Sequence, residues 1–181
     1  MDFKQVLSLF IIDLNNHKID YGLIGGFAMG LLGLNRSTVD LDFLINIDDI
    51  SKVKNFLINI GYELLYESEN VLQFVSPLSD FGEIDIIVAK REISLTMLKN
   101  IQKFTILNNS VEINVLSPED IIGLKLQAIK NDKEREVIDL NDIKFLIKNH
   151  RLNLDKIKEY AKILNMKSYI DTIIEDVHNE N

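Results

Sequence analysis

The stretch Gly25 to Asp42, GGFAMGLLGLNRSTVDLD, constrains this chain more than any other, because it joins a glycine pair to an alternating run that ends in two aspartates. Before it, Tyr21 to Ile24 is a short apolar run with the character of a buried strand. Two glycines where such a strand passes into a helix let the backbone come close to a ligand, and the first N–H groups of the new helix turn toward any anion there. Gly25-Gly26 is therefore a candidate phosphate cradle. Arg36, Thr38, Asp40 and Asp42 then recur at every second position, so in an extended chain all four share one face, while Val39, Leu41, Phe43 and Ile45 share the other. A strand from Thr38 to Ile47 with carboxylates on one side packs poorly on that side but suits a hard cation such as Mg²⁺.

Two further groups of residues stand out. In Glu83-Ile84-Asp85-Ile86-Ile87-Val88, an otherwise β-branched strand puts Glu83 and Asp85 on one face. Either is a candidate third carboxylate; Glu83 reads more simply as an edge residue facing water. Later, K-L-Q-A-(x)6-R-(x)3-D-(x)2-D places Arg135, Asp139 and Asp142 on one face of one helix, with Lys125 upstream. Those four residues read either as support for a phosphate site or as helix-surface pairs, and surface pairs contribute little each. Arg36 likewise reads as a phosphate contact or as a surface salt bridge.

The order strand, Gly-Gly, short helix, R-x-T-x-D-x-D and a later acid on an apolar strand resembles the polymerase-β-like nucleotidyltransferase superfamily. The likeness is to its small bacterial members of the AbiEii, minimal-nucleotidyltransferase and lincosamide-nucleotidyltransferase type, and it covers roughly Tyr21 to Leu146. The resemblance implies that Asp40 and Asp42 bind two catalytic Mg²⁺ or Mn²⁺ ions and that Asp85 is the third carboxylate, as metal ligand or general base. It also implies that Gly25 and Gly26 hold the triphosphate, joined by Arg36, Thr38 and Lys125, with Arg135, Asp139 and Asp142 in support. Many relatives have Gly-Ser at the turn; here Phe27 follows Gly26, so backbone N–H groups must do more of the holding.

Composition narrows the rest. The 181 residues, 46% hydrophobic, suffice for one ordinary core. There is no cysteine, which removes disulfides and thiolate metal sites. The N-terminus has neither the basic start nor the cleavage site of a signal peptide, and the glycine-broken run Tyr21 to Leu34 is too short to span a bilayer, so a cytoplasmic protein away from membranes is expected. His17, His150 and His178 are isolated, and the glycines fit neither G-x-G-x-x-G nor a Walker A loop. With 20 basic and 28 acidic residues the net charge is −8, which opposes nonspecific binding of a polyanion.

The expected fold is α/β (α+β), a mixed β-sheet core with flanking helices over 1–116 and a helical segment over 117–181 packed on it. A leading helix spans Asp2 to Asn16, Asp48 or Asp49 caps a helix ending at Gly61, a further helix lies near Leu95 to Ile101, and Asn108-Asn109-Ser110 turns a hairpin. Ser117-Pro118 opens the helical segment, whose second helix runs from Glu134 to Lys148. The function expected is transfer of a nucleoside monophosphate, AMP from ATP, to a hydroxyl on a small molecule or protein. tRNA and a cognate toxin or antitoxin remain open as partners. The rival is a fold retained as a nonenzymatic antitoxin or scaffold, opposed by the three acids, the glycine turn and Lys125.

Overall fold

The computed structural model describes residues 3–35, 38, 40–77, 82–108 and 110–179. It divides into two compact units, Met1–Leu116 and Ser117–Asn181. In the first, the elements in chain order are α1 (Phe3–Asn16), β1 (Tyr21–Ile24), α2 (Gly25–Leu31), β2 (Leu41–Asn46), α3 (Ile50–Asn59), β3 (Glu63–Glu67), β4 (Val71–Val75), β5 (Glu83–Ala89), α4 (Glu92–Met97), β6 (Gln102–Ile106) and β7 (Val111–Val115). All seven strands form one mixed sheet in the order β3-β4-β5-β2-β1-β7-β6. β2 runs parallel to β5 and antiparallel to β1, which in turn is parallel to β7. The mixed α/β fold expected from the sequence is the one present.

Alternation decides the core. Leu41, Phe43 and Ile45 of β2 and Ile84 and Ile86 of β5 are buried on one face. Phe10 of α1 meets Phe43 edge-on at 5.1 Å between ring centroids and stacks on Phe56 of α3 at 5.9 Å, so two helices close that face. The second unit is all helix: α5 (Pro118–Asn131), α6 (Glu136–Asn149), α7 (Leu154–Ile163) and α8 (Lys167–Asn179). Ser117 Oγ accepts the N–H of Asp120, and Pro118 takes the first helical position of α5, where its missing N–H costs nothing. Ile122, Leu126, Ile143, Leu146, Ile157 and Ile170 fill the core of this unit.

Several boundaries differ from expectation, each for a local reason. The second strand starts at Leu41, not Thr38, because β1 ends at Ile24, which pairs with Asp42; of the described residues just ahead of Leu41, neither Thr38 nor Asp40 has a β1 partner. Thr38 Oγ1 instead accepts the Asp40 N–H at 3.3 Å. Neither Asp48 nor Asp49 caps α3 through its side chain; Asp49 sits at the N-cap, but its carboxylate pairs with Lys52 at 2.7 Å. Asn46 takes the capping role for the short 3₁₀ turn before α3, accepting from Asp48 N. The fourth helix begins at Glu92, since Ser94 Oγ accepts the Arg91 N–H and fixes the first turn earlier than the apolar spacing suggested. Lys133–Arg135 is a 3₁₀ turn capped by Asp132, which delays α6 to Glu136.

Candidate active site

The site is built by strand register. β2 and β5 lie side by side in parallel with Asp42 opposite Asp85, so the two carboxylates stand next to each other on one face, both half-buried. On the other flank of β2, Ile24 pairs with Asp42 and the chain then turns into α2 at Gly25. Gly25 has φ +65°, a conformation that disfavours any side chain, and a Cβ there would fall on the Asp42 carboxylate. Backbone and carboxylate thus approach as no other residue would allow. At Gly26 an added Cβ would come 3.0 Å from Thr38 Oγ1, so Thr38 packs against the turn. Asp85 makes other contacts, but its Oδ1 atom is buried and takes no hydrogen bond among the described residues. Hard carboxylate oxygens so placed suit Mg²⁺ or Mn²⁺.

Not every expected residue joins this pair. Asp40 precedes β2 and is exposed, and among the described residues no group of three or more His, Asp or Glu side chains is gathered for a metal. Of the shared strand face expected for Thr38, Asp40 and Asp42, only Asp42 lies on β2; Thr38 and Asp40 precede it. Glu83 is exposed two residues before Asp85. Arg36 lies outside the described residues.

Lys125, Asp139, Asp142 and Arg135 do come together, inside the helical unit. Lys125 Nζ donates to Asp139 Oδ1 at 2.8 Å and to Asp142 Oδ2 at 2.6 Å, and all three residues are buried. Arg135 Nε reaches the other Asp139 oxygen at 3.1 Å from the surface. Lys125 is thus held in a buried ion triad, whereas the sequence left its acids open between support for a phosphate site and helix-surface pairing. A second buried network had no sequence signal beyond the Ser117 cap. Asp120, fully buried, accepts from Ser117 Oγ at 2.8 Å and from the Tyr160 hydroxyl, and pairs with Lys156 at 2.7 Å. Burial foremost, with Asp120 next to it, raises the Tyr160 hydroxyl above the usual tyrosine range. Forty residues separate Asp120 and Tyr160, a spacing no local pattern reveals.

Comparison with known proteins gives these features a context. Residues 9–175 match the model of a family described as nucleotidyl transferase AbiEii toxin, type IV TA system. No curated protein matches the chain. Among solved structures, the antibiotic-resistance factor ANT(2'')-Ia in solution is similar with a TM-score of 0.66 at 12% identity, over 100% of both chains. An antigenic nucleotidyltransferase-like protein from Paracoccidioides brasiliensis has a TM-score of 0.59 at 18% identity, covering 96% of this chain and 92% of that one. The lincosamide antibiotic adenylyltransferase LnuA, bound to lincomycin, has a TM-score of 0.58 at 16% identity, over 80% of this chain and 98% of that one. At such identities the likeness is one of fold.

Proposed function

The chain belongs to the AbiEii nucleotidyltransferase family, and from that premise we propose that it transfers a nucleoside monophosphate, AMP from ATP, to an acceptor hydroxyl at the Asp42–Asp85 pair. The observation that supports this most is the in-register pairing of those two acids beside a glycine turn that only glycine can make. Asp42 and Asp85 would hold a divalent cation, and Asp40, two positions earlier and exposed, is kept as a third ligand that the ion itself would draw in. When bound, the ion would supply positive charge at the α-phosphate and on the departing pyrophosphate.

The chain's own groups do the rest. The Gly25-Gly26 backbone would receive the triphosphate against Asp42. Asp85 would orient the acceptor hydroxyl and take its proton as the acceptor oxygen bonds to the α-phosphorus. The bond from that phosphorus to the bridging oxygen of the β-phosphate breaks, and pyrophosphate leaves with the electron pair. Lys125 is assigned a different task from the phosphate contact expected of it. Its ammonium already satisfies two buried carboxylates, and freeing it for a phosphate would leave both acids without their cation.

Net charge −8 favours a small molecule or a protein side chain over an extended polyanion as acceptor. The family's description names a type IV toxin–antitoxin system, so a cognate antitoxin is the macromolecular partner to look for. Calorimetric titration with Mg·ATP and with a nonhydrolysable analogue tests the reading. Binding that requires the divalent cation is expected; no binding of either nucleotide would favour a nonenzymatic scaffold.

A further inference from the structure

Asp85 stands between two neighbours of opposite kind. In the sheet order β4-β5-β2, Asp42 of β2 lies beside it on one flank and Gln73 of β4 on the other, both aligned with it in register. Residues directly opposed on an antiparallel pair such as β4 and β5 share a face, with Cβ atoms about 4.5–5.5 Å apart, so a glutamine amide reaches an aspartate carboxylate. One flank brings a charge that repels the Asp85 carboxylate. The other brings N–H groups that attract it.

Gln73 is out of place for packing alone. Along β4 its face is otherwise aliphatic, with Val71 and Val75 two positions to either side, and diagonally across on β5 stand Ile87 and the exposed Glu83. Gln73 is half-buried, and its amide makes no hydrogen bond among the described residues. Polar groups withdrawn from water are as a rule hydrogen-bonded, and an amide that is not costs free energy that a valine or leucine here would not. Such a departure from good packing is expected where a residue serves a site. The polar group set directly opposite it on β5 is Asp85.

That carboxylate has a use for the amide. Rotation about the last bond of an aspartate is broad, so strand register fixes where the Asp85 side chain starts but not which way its two oxygens turn. Asp85 has other contacts, and its Oδ1 is buried, where donors come from the protein or from a bound ion and not from open solvent. An amide on the β4 flank that donates to the nearer oxygen turns the farther one toward Asp42. It also offsets part of the repulsion between the two acids, which is strongest before a cation arrives. A third carboxylate at this position would add to that repulsion, and an ammonium would compete with the cation. A glutamine amide is a donor without charge.

We propose that Gln73 is a positioning residue for Asp85: its amide N–H donates to the Asp85 oxygen on the β4 side as a divalent cation draws the other oxygen toward Asp42. Gln73 itself touches neither cation nor nucleotide. Its effect passes through the carboxylate, as that of hydrogen-bond partners behind metal-ligating groups does.

The inference rests on the nucleotidyl-transfer reading, in which Asp42 and Asp85 hold the cation, and the experiment separates the two. The full chain is titrated with Mg·ATP by calorimetry and with Mn²⁺ alone by electron paramagnetic resonance. Gln73→Leu, of similar bulk and without a donor, should weaken Mn²⁺ binding about tenfold. In an Asp85→Asn background the same change should move the Mn²⁺ Kd by less than about twofold, since the carboxylate through which it acts is gone. The urea midpoint of Gln73→Leu should stay at or above that of the wild type, because a leucine suits Val71 and Val75 better than an unbonded amide does. In the wild type, the side-chain amide NMR signals of Gln73, identified by their loss in Gln73→Leu, should move downfield on addition of Mg²⁺. The positioning role would be overturned, with nucleotidyl transfer left standing, if the wild type binds Mg·ATP and any of four results appears. These are no binding of Mn²⁺ alone, an unchanged or equally reduced Mn²⁺ affinity with and without the Asp85 carboxylate, a lowered urea midpoint in Gln73→Leu, or amide signals that ignore Mg²⁺. A wild type that binds neither Mn²⁺ nor Mg·ATP would overturn both.

Discussion

Two pairs of aspartates in this molecule are brought together by opposite means. Asp42 and Asp85 are neighbours because β2 and β5 are in register; the backbone ladder places them, whatever charge stands nearby. Asp139 and Asp142 are neighbours on one helix, and what holds their carboxylates inside the protein is Lys125, at 2.8 Å and 2.6 Å. The first arrangement can lose a charge without losing its architecture. The second cannot, since removing the cation leaves two buried acids that must be protonated or hydrated at the expense of the fold. Proximity of acids is thus no guide to a site by itself; the agent that enforces it is.

The largest effect should come from removing that agent. Lys125→Met keeps the length of the side chain and deletes the charge, and unfolding in urea should show a loss of about 3–5 kcal/mol, the range for breaking a buried ion pair. A loss below about 1 kcal/mol would mean that the triad is hydrated in solution and would reopen Lys125 as a phosphate contact. Asp42→Asn should do the reverse, cutting transfer by about 10²-fold or more, some 3 kcal/mol of transition-state stabilisation, with an unfolding midpoint at or above that of the wild type. Asp40→Asn should impair divalent-cation dependence with equally little effect on stability. Collapse of the fold in both aspartate variants would show that these acids are structural.

How much of this was legible in the sequence follows the same division. Alternation marked the face that Asp42 shares with the site, and glycine chemistry marked Gly25, because both are local. The start of β2 was misjudged because strand ends are set by the partner: β1 turns away at Gly25, which no pattern within residues 38–47 reveals. The adjacency of Asp42 and Asp85 was hidden for the same reason, since only the register of β2 against β5 sets them side by side. In the helices the i, i+4, i+7 spacing was read correctly as one face, but spacing does not distinguish a face turned to water from one turned to Lys125.

An intermediate effect is expected from pH. In the sheet unit, burial chiefly pushes the Tyr21 hydroxyl up to about 12 from its ordinary value of 10.0, against the smaller opposing influence of its hydrogen bond from Asn114 N. A folded pKa raised above the unfolded one means that the contribution is complete below pH 10 and is lost as pH climbs through 10 toward 12. The urea midpoint should fall between pH 9 and pH 11, by about 1 kcal/mol from Tyr21 at the upper end, and Tyr21→Phe should flatten that part of the profile. An unchanged alkaline slope in the variant would assign the loss to other tyrosines, such as Tyr169, which burial and Glu136 together raise to about 12 in the helical unit.

The smallest effect asks whether the triad needs its second cation. Arg135 reaches Asp139 Oδ2 at 3.1 Å from one turn earlier on the chain, but its side chain is 60% exposed where that of Lys125 is 10% exposed. An arginine in water gives up hydration and side-chain freedom to make this contact and gains back little, so exposed pairs at i, i+4 are worth about 0.3–0.5 kcal/mol. Asp139 in turn retains Lys125 when Arg135 is removed, so no buried charge is stranded. Arg135→Gln should therefore cost under about 1 kcal/mol and should lose even that in high salt, where Lys125→Met remains destabilising. A double-mutant cycle between Arg135 and Asp139 measures it directly. A coupling as large as that between Lys125 and Asp139 would place the arginine inside the buried network, and the contrast between acids held by a backbone and acids held by one lysine would have to be redrawn.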